Sequence, residues 1–317
     1  MGNLKKLVIG ILMFVGISSL GMTQQDPQYS HYMFNQMVIN PGFAGSSDMI
    51  CASMLHREQW IGFDGAPSTT LFHANSPVNP FGISSGVGLV IMNDKAGFSS
   101  NLNISASYAY RLNVGNGKLG IGVSLGFINQ SLEPNWYIPS SDYHQPPSSD
   151  PLIPESNESV FVFDMGLGLF YTLDELYVGI STTHLNEAKY KYSKGTPYQR
   201  RHYYLTAGYN FQLSNPLFEI LPTLQVLSDG TTSEISVNAN MLYNKKFWGG
   251  VSYKAGSAVV GLLGIQLING LRIGYAYEFP TSDIIKSTSG SHEFMVNYCF
   301  RLAVDRSPRR YKSIRFL

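Results

Sequence analysis

Behind residue 23 no stretch of this chain stays apolar for the ~20 residues that a membrane-crossing helix needs, yet segment after segment alternates apolar and polar residues with a period of two. In "NLNISASYAYRL" the set Leu102, Ile104, Ala106, Tyr108, Tyr110 and Leu112 alternates with Asn101, Asn103, Ser105, Ser107, Ala109 and Arg111. The same phase returns in "KLGIGVSLGF", "FVFDMGLGLFY", "EISVNANMLY" and "LRIGYAYEF". Successive side chains of an extended strand point to opposite faces, so each segment predicts a strand with one greasy and one wet face. The longest apolar run, Val259 to Ile265, is broken by Gly261 and Gly264.

Alternation alone fits a soluble sandwich equally well, so the choice falls to other features. Lys5 and Lys6 precede an apolar stretch from Leu7 to Ile17 and the small residues Ser18, Ser19 and Gly21. That order predicts a secretory signal peptide over residues 1–23, with an apolar part too short to span a bilayer. Charged residues are only 14% of the sequence, against roughly 25% in ordinary soluble domains. An exported chain poor in charge and rich in Tyr and Gly, with no membrane helix, has the closed β-barrel as its familiar solution.

Connection lengths support the barrel. Strands are expected near 49–60, 68–76, 82–92, 98–112, 118–130, 160–171, 175–184, 200–213, 217–227, 232–243, 246–254, 258–268, 271–279 and 291–303. Every second connection is short: "PVNPF", "NVGNG", "TLDE", "SNPL", "NKK" and "NG". The intervening set includes 131–159, 185–199 and 280–290. Short turns on one side and long loops on the other, with an even strand count, is the outer-membrane pattern. The expected fold is therefore all-β, a transmembrane antiparallel β-barrel of about 14 strands with both termini periplasmic. Its parts are a signal peptide (1–23), a periplasmic N-terminal segment or partial plug (24–48), the barrel (49–303) and a basic periplasmic tail (304–317).

Facing follows from phase. Arg111, Asp164, Glu234, Arg272, Glu278, Glu293 and Arg301 share the polar phase and are expected in the lumen, neutralising one another, because buried charges must be paired. Trp60, Tyr110, Tyr243, Trp248 and Tyr277 fit interfacial girdles. Cys51 and Cys299 fall on the lumen phase near the periplasmic ends of the first and last strands, which are neighbours once a barrel closes. In an oxidising compartment this predicts a disulfide across the seam.

Chemistry is sparse. "GISSG", Gly82 to Gly86, matches G-x-S-x-G but opens a strand with no helix behind it, so the strained nucleophile elbow is missing. The seven histidines show no metal-ligand spacing, and no phosphate loop or dinucleotide fingerprint is present. No cofactor is expected, and a net charge of +1 speaks against a nucleic-acid partner. The loop 131–159 carries Trp136, Tyr137 and Tyr143 among Pro and Ser, which suits a surface contact or an inert shield in equal measure. The segment "HLNEAKYKYSKGTPYQRR" is basic and aromatic, suiting polysaccharide phosphates or an acidic partner. In the tail, Arg309, Arg310 and Phe316 suggest a docking peptide.

The segment "DPQYSHYMFNQMVINPGFAGS", followed by "REQWIGFDGAPSTT" and a terminal "YKSIRFL", resembles the PorP/SprF family of type IX secretion and gliding-motility membrane proteins of Bacteroidota. The resemblance runs from Asp26 to the end and is most specific at Asp26-Pro27, Tyr29-Ser30, Tyr32-Met33, Asn35, Asn40-Pro41, Arg57 and Gln59-Trp60. It departs at Gly42-Phe43, where the family often has Ala-Tyr, and at Ser313-Ile314, where Asn-Pro is usual.

The resemblance implies a non-enzymatic outer-membrane component, surrounded by outer-membrane lipids, that meets the ring and peptidoglycan-associated periplasmic proteins. On the other side it would aid secretion or attachment of a surface adhesin through that cargo's C-terminal domain. The alternative reading is a passive channel or hydrophobic-solute transporter. Tyr29, Tyr32, Met33, Asn35, Asn40 and Pro41 then belong to a segment expected to fold into the periplasmic mouth as a partial plug, because so many large apolar side chains in a row rarely stay solvated. With Arg57 and Trp60 these are the candidate partner or plug residues.

Overall fold

The computed structural model of the chain describes residues 26–133, 156–267 and 270–301. Fourteen antiparallel strands follow one another: β1 (Ile50–Glu58), β2 (Ser68–Val78), β3 (Ser85–Ala96), β4 (Ser99–Val114), β5 (Gly117–Leu132), β6 (Glu158–Thr172), β7 (Leu176–Thr183), β8 (His202–Tyr209), β9 (Phe218–Ser228), β10 (Ser233–Tyr243), β11 (Phe247–Lys254), β12 (Ala258–Gln266), β13 (Leu271–Pro280) and β14 (Ser291–Phe300). Phe211–Gln212 continues β8 beyond Asn210 and pairs with the same neighbour, β9. Each strand pairs with the next, and β14 returns to β1 in the register Cys51↔Cys299, Arg57↔Glu293. The ladder closes on itself, although β6 outruns β7, which pairs with it only from Leu167 to Thr172.

Period-two sequence becomes an apolar outside and a polar inside. Leu125, Phe127, Val251, Leu263 and Phe294 point outward and are more than half exposed. Their alternating partners, such as Ser107, Gln130, Ser252 and Asn238, face in and are buried. β4 and β5 are 16 residues long, beyond the roughly 9–11 that cross a bilayer, so this hairpin stands clear of the apolar band. Turns at 79–84, 115–116, 173–175, 213–217 and 244–246 lie at one end, where β1 begins and β14 stops; the connections 184–201 and 281–290 lie at the other. Among the described residues no helix is long and apolar enough to cross a membrane.

Two facing expectations fail. Trp248 is buried in the lumen against Phe34, not set in an outer girdle; it shares the even phase of Ser252 and Lys254 on β11, and that phase points inward. Arg301 is exposed and follows the last strand instead of lining the lumen, because β14 stops at Phe300. Tyr110 and Tyr243 do point outward. Residues 1–25, the aromatics of loop 134–155 and the tail residues Arg309, Arg310 and Phe316 lie outside the described residues.

Candidate functional site

The lumen is where this sequence departs from a simple barrel, because residues 26–48 run through it. Pro27 and Pro41 keep regular structure short, leaving single helical turns at Tyr32–Phe34, Gln36–Ile39 and Pro41–Phe43. The expectation of a plug confined to the short-turn mouth is too small. Asp26 meets β7 and β8 at the long-loop end, and Gly45 meets β2 and β3 at the short-turn end.

At the long-loop end Asp26 accepts from His184 Nε2 at 2.9 Å, from the Tyr204 hydroxyl at 2.9 Å and from Thr183 at 3.2 Å. His184 directs its other nitrogen to Asp164 at 2.9 Å. Burial alone would raise the Asp26 carboxyl, but His184, His202 and these hydrogen bonds hold it well below the usual carboxylate range. Burial pulls His184 down, and the charges and hydrogen bonds of Asp26 and Asp164 outweigh it, carrying it up to about 10.

One layer further in, Glu293 accepts the backbone N–H groups of Ser30 and His31, both at 2.8 Å, and His31 Nδ1 at 2.6 Å. Arg57 bridges Glu278 at 3.0 Å and Glu293 at 3.5 Å, and Lys254 donates to Glu278 at 2.6 Å. All five of these ionisable side chains are essentially inaccessible to water. Glu234 accepts from Gln28 of the plug. The lumen charges thus pair among the strands, as their shared phase suggested, and the inserted segment adds His31, Gln28, Asp26 and Asp48 to the network.

Mid-lumen, Asn35 accepts from His73 at 3.0 Å, and Tyr32 reaches Thr223 at 2.9 Å. Tyr29 and Met37 pack with Leu55, Leu71 and Val90. Met33 and Phe34 pack against Trp248, and the Arg272 guanidinium lies 4.5 Å over the Phe34 ring.

At the short-turn end backbone lies on backbone. A Cβ at Gly86 would overlap the Ala44 carbonyl, and one at Gly120 would overlap the Gly42 carbonyl, so only glycine permits this approach. Asn40 accepts from its own Gly42 N–H at 2.9 Å and donates to the Leu169 carbonyl at 2.9 Å. Arg111 donates to the Gly45 carbonyl and to Asp48 at 2.7 Å. Here Cys51 and Cys299 are joined by a disulfide that ties β1 to β14.

Of the sequence candidates, Tyr29, Tyr32, Met33, Asn35, Asn40, Pro41 and Arg57 therefore gather in one lumen assembly. Trp60 does not join it. It sits in the 59–67 connection with φ 53°, its N–H donated to Ser291, at the rim of a cavity of about 330 Å³ that Arg57 and Glu278 also line. His31, His184, His202 and Lys254 are not among the sequence candidates: His31 and His184 meet partners 262 and 158 residues away, and Lys254 reaches Glu278 across the intervening strand β12.

A plugged barrel with these signature residues in its lumen is matched from residue 21 to 298 by the model of the PorP/SprF type IX secretion system membrane proteins. The chain belongs to the PorP/SprF family. Among solved structures it is similar to the Ralstonia pickettii toluene transporter TbuX, at TM-score 0.51 and 13% identity, covering 84% of this chain and 93% of that one. It is also similar to the Acinetobacter baumannii outer membrane protein Omp33, at TM-score 0.44 and 8% identity, covering 80% and 99%. At such identities the first likeness speaks for the barrel fold alone. No curated protein matches the sequence significantly. This PorP/SprF chain is accordingly an outer-membrane β-barrel and a membrane component of type IX secretion.

Proposed function

We propose that this PorP/SprF barrel works through its surfaces, as a non-enzymatic station of the type IX machinery, and not through its lumen. The observation that carries this is the inserted segment, held by the Asp26–His184 pair and the buried Glu293 carboxylate at one end and a glycine seat at the other. A plug fixed in that way suits a docking scaffold better than a conduit. By the usual asymmetry of outer-membrane barrels the short-turn end faces the periplasm. That end would meet the ring and peptidoglycan-associated proteins, with the basic tail as a docking peptide, and the long-loop end would hold the C-terminal domain of a secreted adhesin.

The test is deletion of the gene followed by comparison of surface proteomes and by pull-down from outer membranes. Loss of one or more surface adhesins, with ring proteins recovered on the wild-type barrel, is expected. Retention of every adhesin would overturn the proposal, and a large steady conductance of the purified protein in planar bilayers would favour a channel or hydrophobic-solute transporter instead.

A further inference from the structure

His202 opens β8 and is completely buried, yet neither of its ring nitrogens has a hydrogen-bond partner. A buried polar group left unsatisfied is destabilising, so a fully enclosed imidazole with two idle nitrogens calls for an explanation. Its Nδ1 lies 3.6 Å from Asp26 Oδ2, too far for a hydrogen bond. Asp26 Oδ1 lies 2.9 Å from His184 Nε2, and one donor atom from each of the three residues falls within 4.8 Å of the others. Ligands ~2.0–2.1 Å from a tetrahedral ion stand roughly 3.3–3.4 Å apart, inside the range these three atoms already span.

We propose that Asp26, His184 and His202 form a binding site for a divalent transition-metal ion of the zinc type. Two imidazole nitrogens and one carboxylate oxygen, with a fourth position open to solvent, is a donor set that suits zinc and its neighbours and not calcium or magnesium, which take oxygen ligands. The surroundings supply what such a site requires beyond its ligands. Asp164 takes the Nδ1 hydrogen of His184, which turns Nε2 toward the ion. Tyr204, Thr183 and Gln199 hold the Asp26 carboxylate through hydrogen bonds at 2.9, 3.2 and 3.5 Å. A cavity of about 200 Å³, lined by Asp26, His184, Gln199, Asn101 and Asn103, leads to the cluster and has room for the water that completes the coordination. On binding, the ion takes the place of the hydrogen between His184 Nε2 and Asp26, which leaves to solvent. One ligand comes from the inserted segment and two from the wall, so the ion clasps the start of the plug to the barrel.

The test uses the full chain in detergent micelles, purified without a histidine tag and stripped with chelator. Cobalt serves as the spectroscopic probe and zinc is counted by atomic emission. One zinc per chain is expected, together with the intense visible absorption of four-coordinate cobalt that zinc abolishes. Both should vanish in His202→Ala and Asp26→Asn and persist in His56→Ala, a partly exposed histidine outside the lumen. Should the lumen variants lose the heat-modifiable gel mobility of a folded barrel, the wild type decides: hydrogen exchange of residues 26–35 should slow at least tenfold when zinc is added. Substoichiometric zinc on the wild type, zinc retained by folded His202→Ala, or exchange indifferent to zinc would each overturn the site.

Discussion

Glu293→Gln removes one charge and almost no volume from the layer that holds the plug. In the native lumen Glu293 accepts from the Ser30 and His31 backbone, from His31 Nδ1 and from Arg57. A hydrogen bond to a charged group contributes about 1.5–3 kcal/mol and a neutral one about 0.5–1.5. The two backbone bonds therefore lose roughly 1 kcal/mol each. The new amide NH2 must face either His31 or Arg57, donor against donor, and Arg57 keeps only Glu278, which it shares with Lys254. Removing one partner from a buried pair costs about 3–5 kcal/mol, and since glutamine retains part of the bonding the lower figure applies.

The barrel ladder does not depend on this carboxylate, so the loss falls on docking of the segment. At about 1.4 kcal/mol per factor of ten, a loss near 3 kcal/mol raises the undocked fraction about a hundredfold. Hydrogen exchange read by mass spectrometry should show the amides of residues 32–44 exchanging about a hundred times faster, while those of β4 to β6 keep wild-type rates. Exchange of the segment within threefold of wild type, in a variant verified by mass, would refute the claim that this layer anchors the plug.

Gly86→Ala places a methyl group against the Ala44 carbonyl and should loosen the short-turn end, seen as protease cleavage near residues 43–48; resistance equal to wild type would remove the glycine seat from the account. Burial raises the Asp48 carboxyl, but the hydrogen bonds and charges of Lys118 and Arg111 lower it on balance. Its stabilising contribution is thus present above the unfolded value and lost as pH falls through the folded one. The difference in melting temperature between wild type and Asp48→Asn should shrink from pH 6 to pH 3, and a constant difference would contradict the ion pair. Cys51→Ala should change mobility on non-reducing gels and make the urea midpoint insensitive to reductant, whereas the wild-type midpoint should fall on reduction, since a link closing so long a loop contributes roughly 2–4 kcal/mol; a wild-type midpoint unmoved by reductant would deny the seam a stabilising role.

The barrel was legible because its signal is local. Alternation over β4 and β5 states in the sequence itself which residue faces lipid, and short turns such as 115–116 punctuate it. Trp248 obeys the same rule: Ser252 and Lys254 share its inward phase on β11, and an aromatic near a strand end does not by itself mark an outer girdle. The plug contacts were not legible in the same way. Gly120 and Gly122 read as small wet-phase residues of a strand, and nothing nearby says that another piece of backbone rests on them. His184 and His202 flank a long loop, and only the pairing Thr183↔His202 brings their rings together. The carboxylate partners of Arg57 are 221 and 236 residues away, a separation at which spacing carries no information.

The disulfide has a topological consequence beyond its effect on stability. It closes residues 51–299 into a covalent ring, and the chain just ahead of Cys51 turns back through that ring as far as Asp26, which makes the protein a lasso. Two routes lead to such an object. The strands wrap around the segment and the cysteines then latch the loop, or the loop closes first and the segment enters by its free end from the short-turn side. A bulky domain fused ahead of Asp26 blocks the second route and spares the first, so the oxidised yield of such a fusion tells which order of assembly the protein follows.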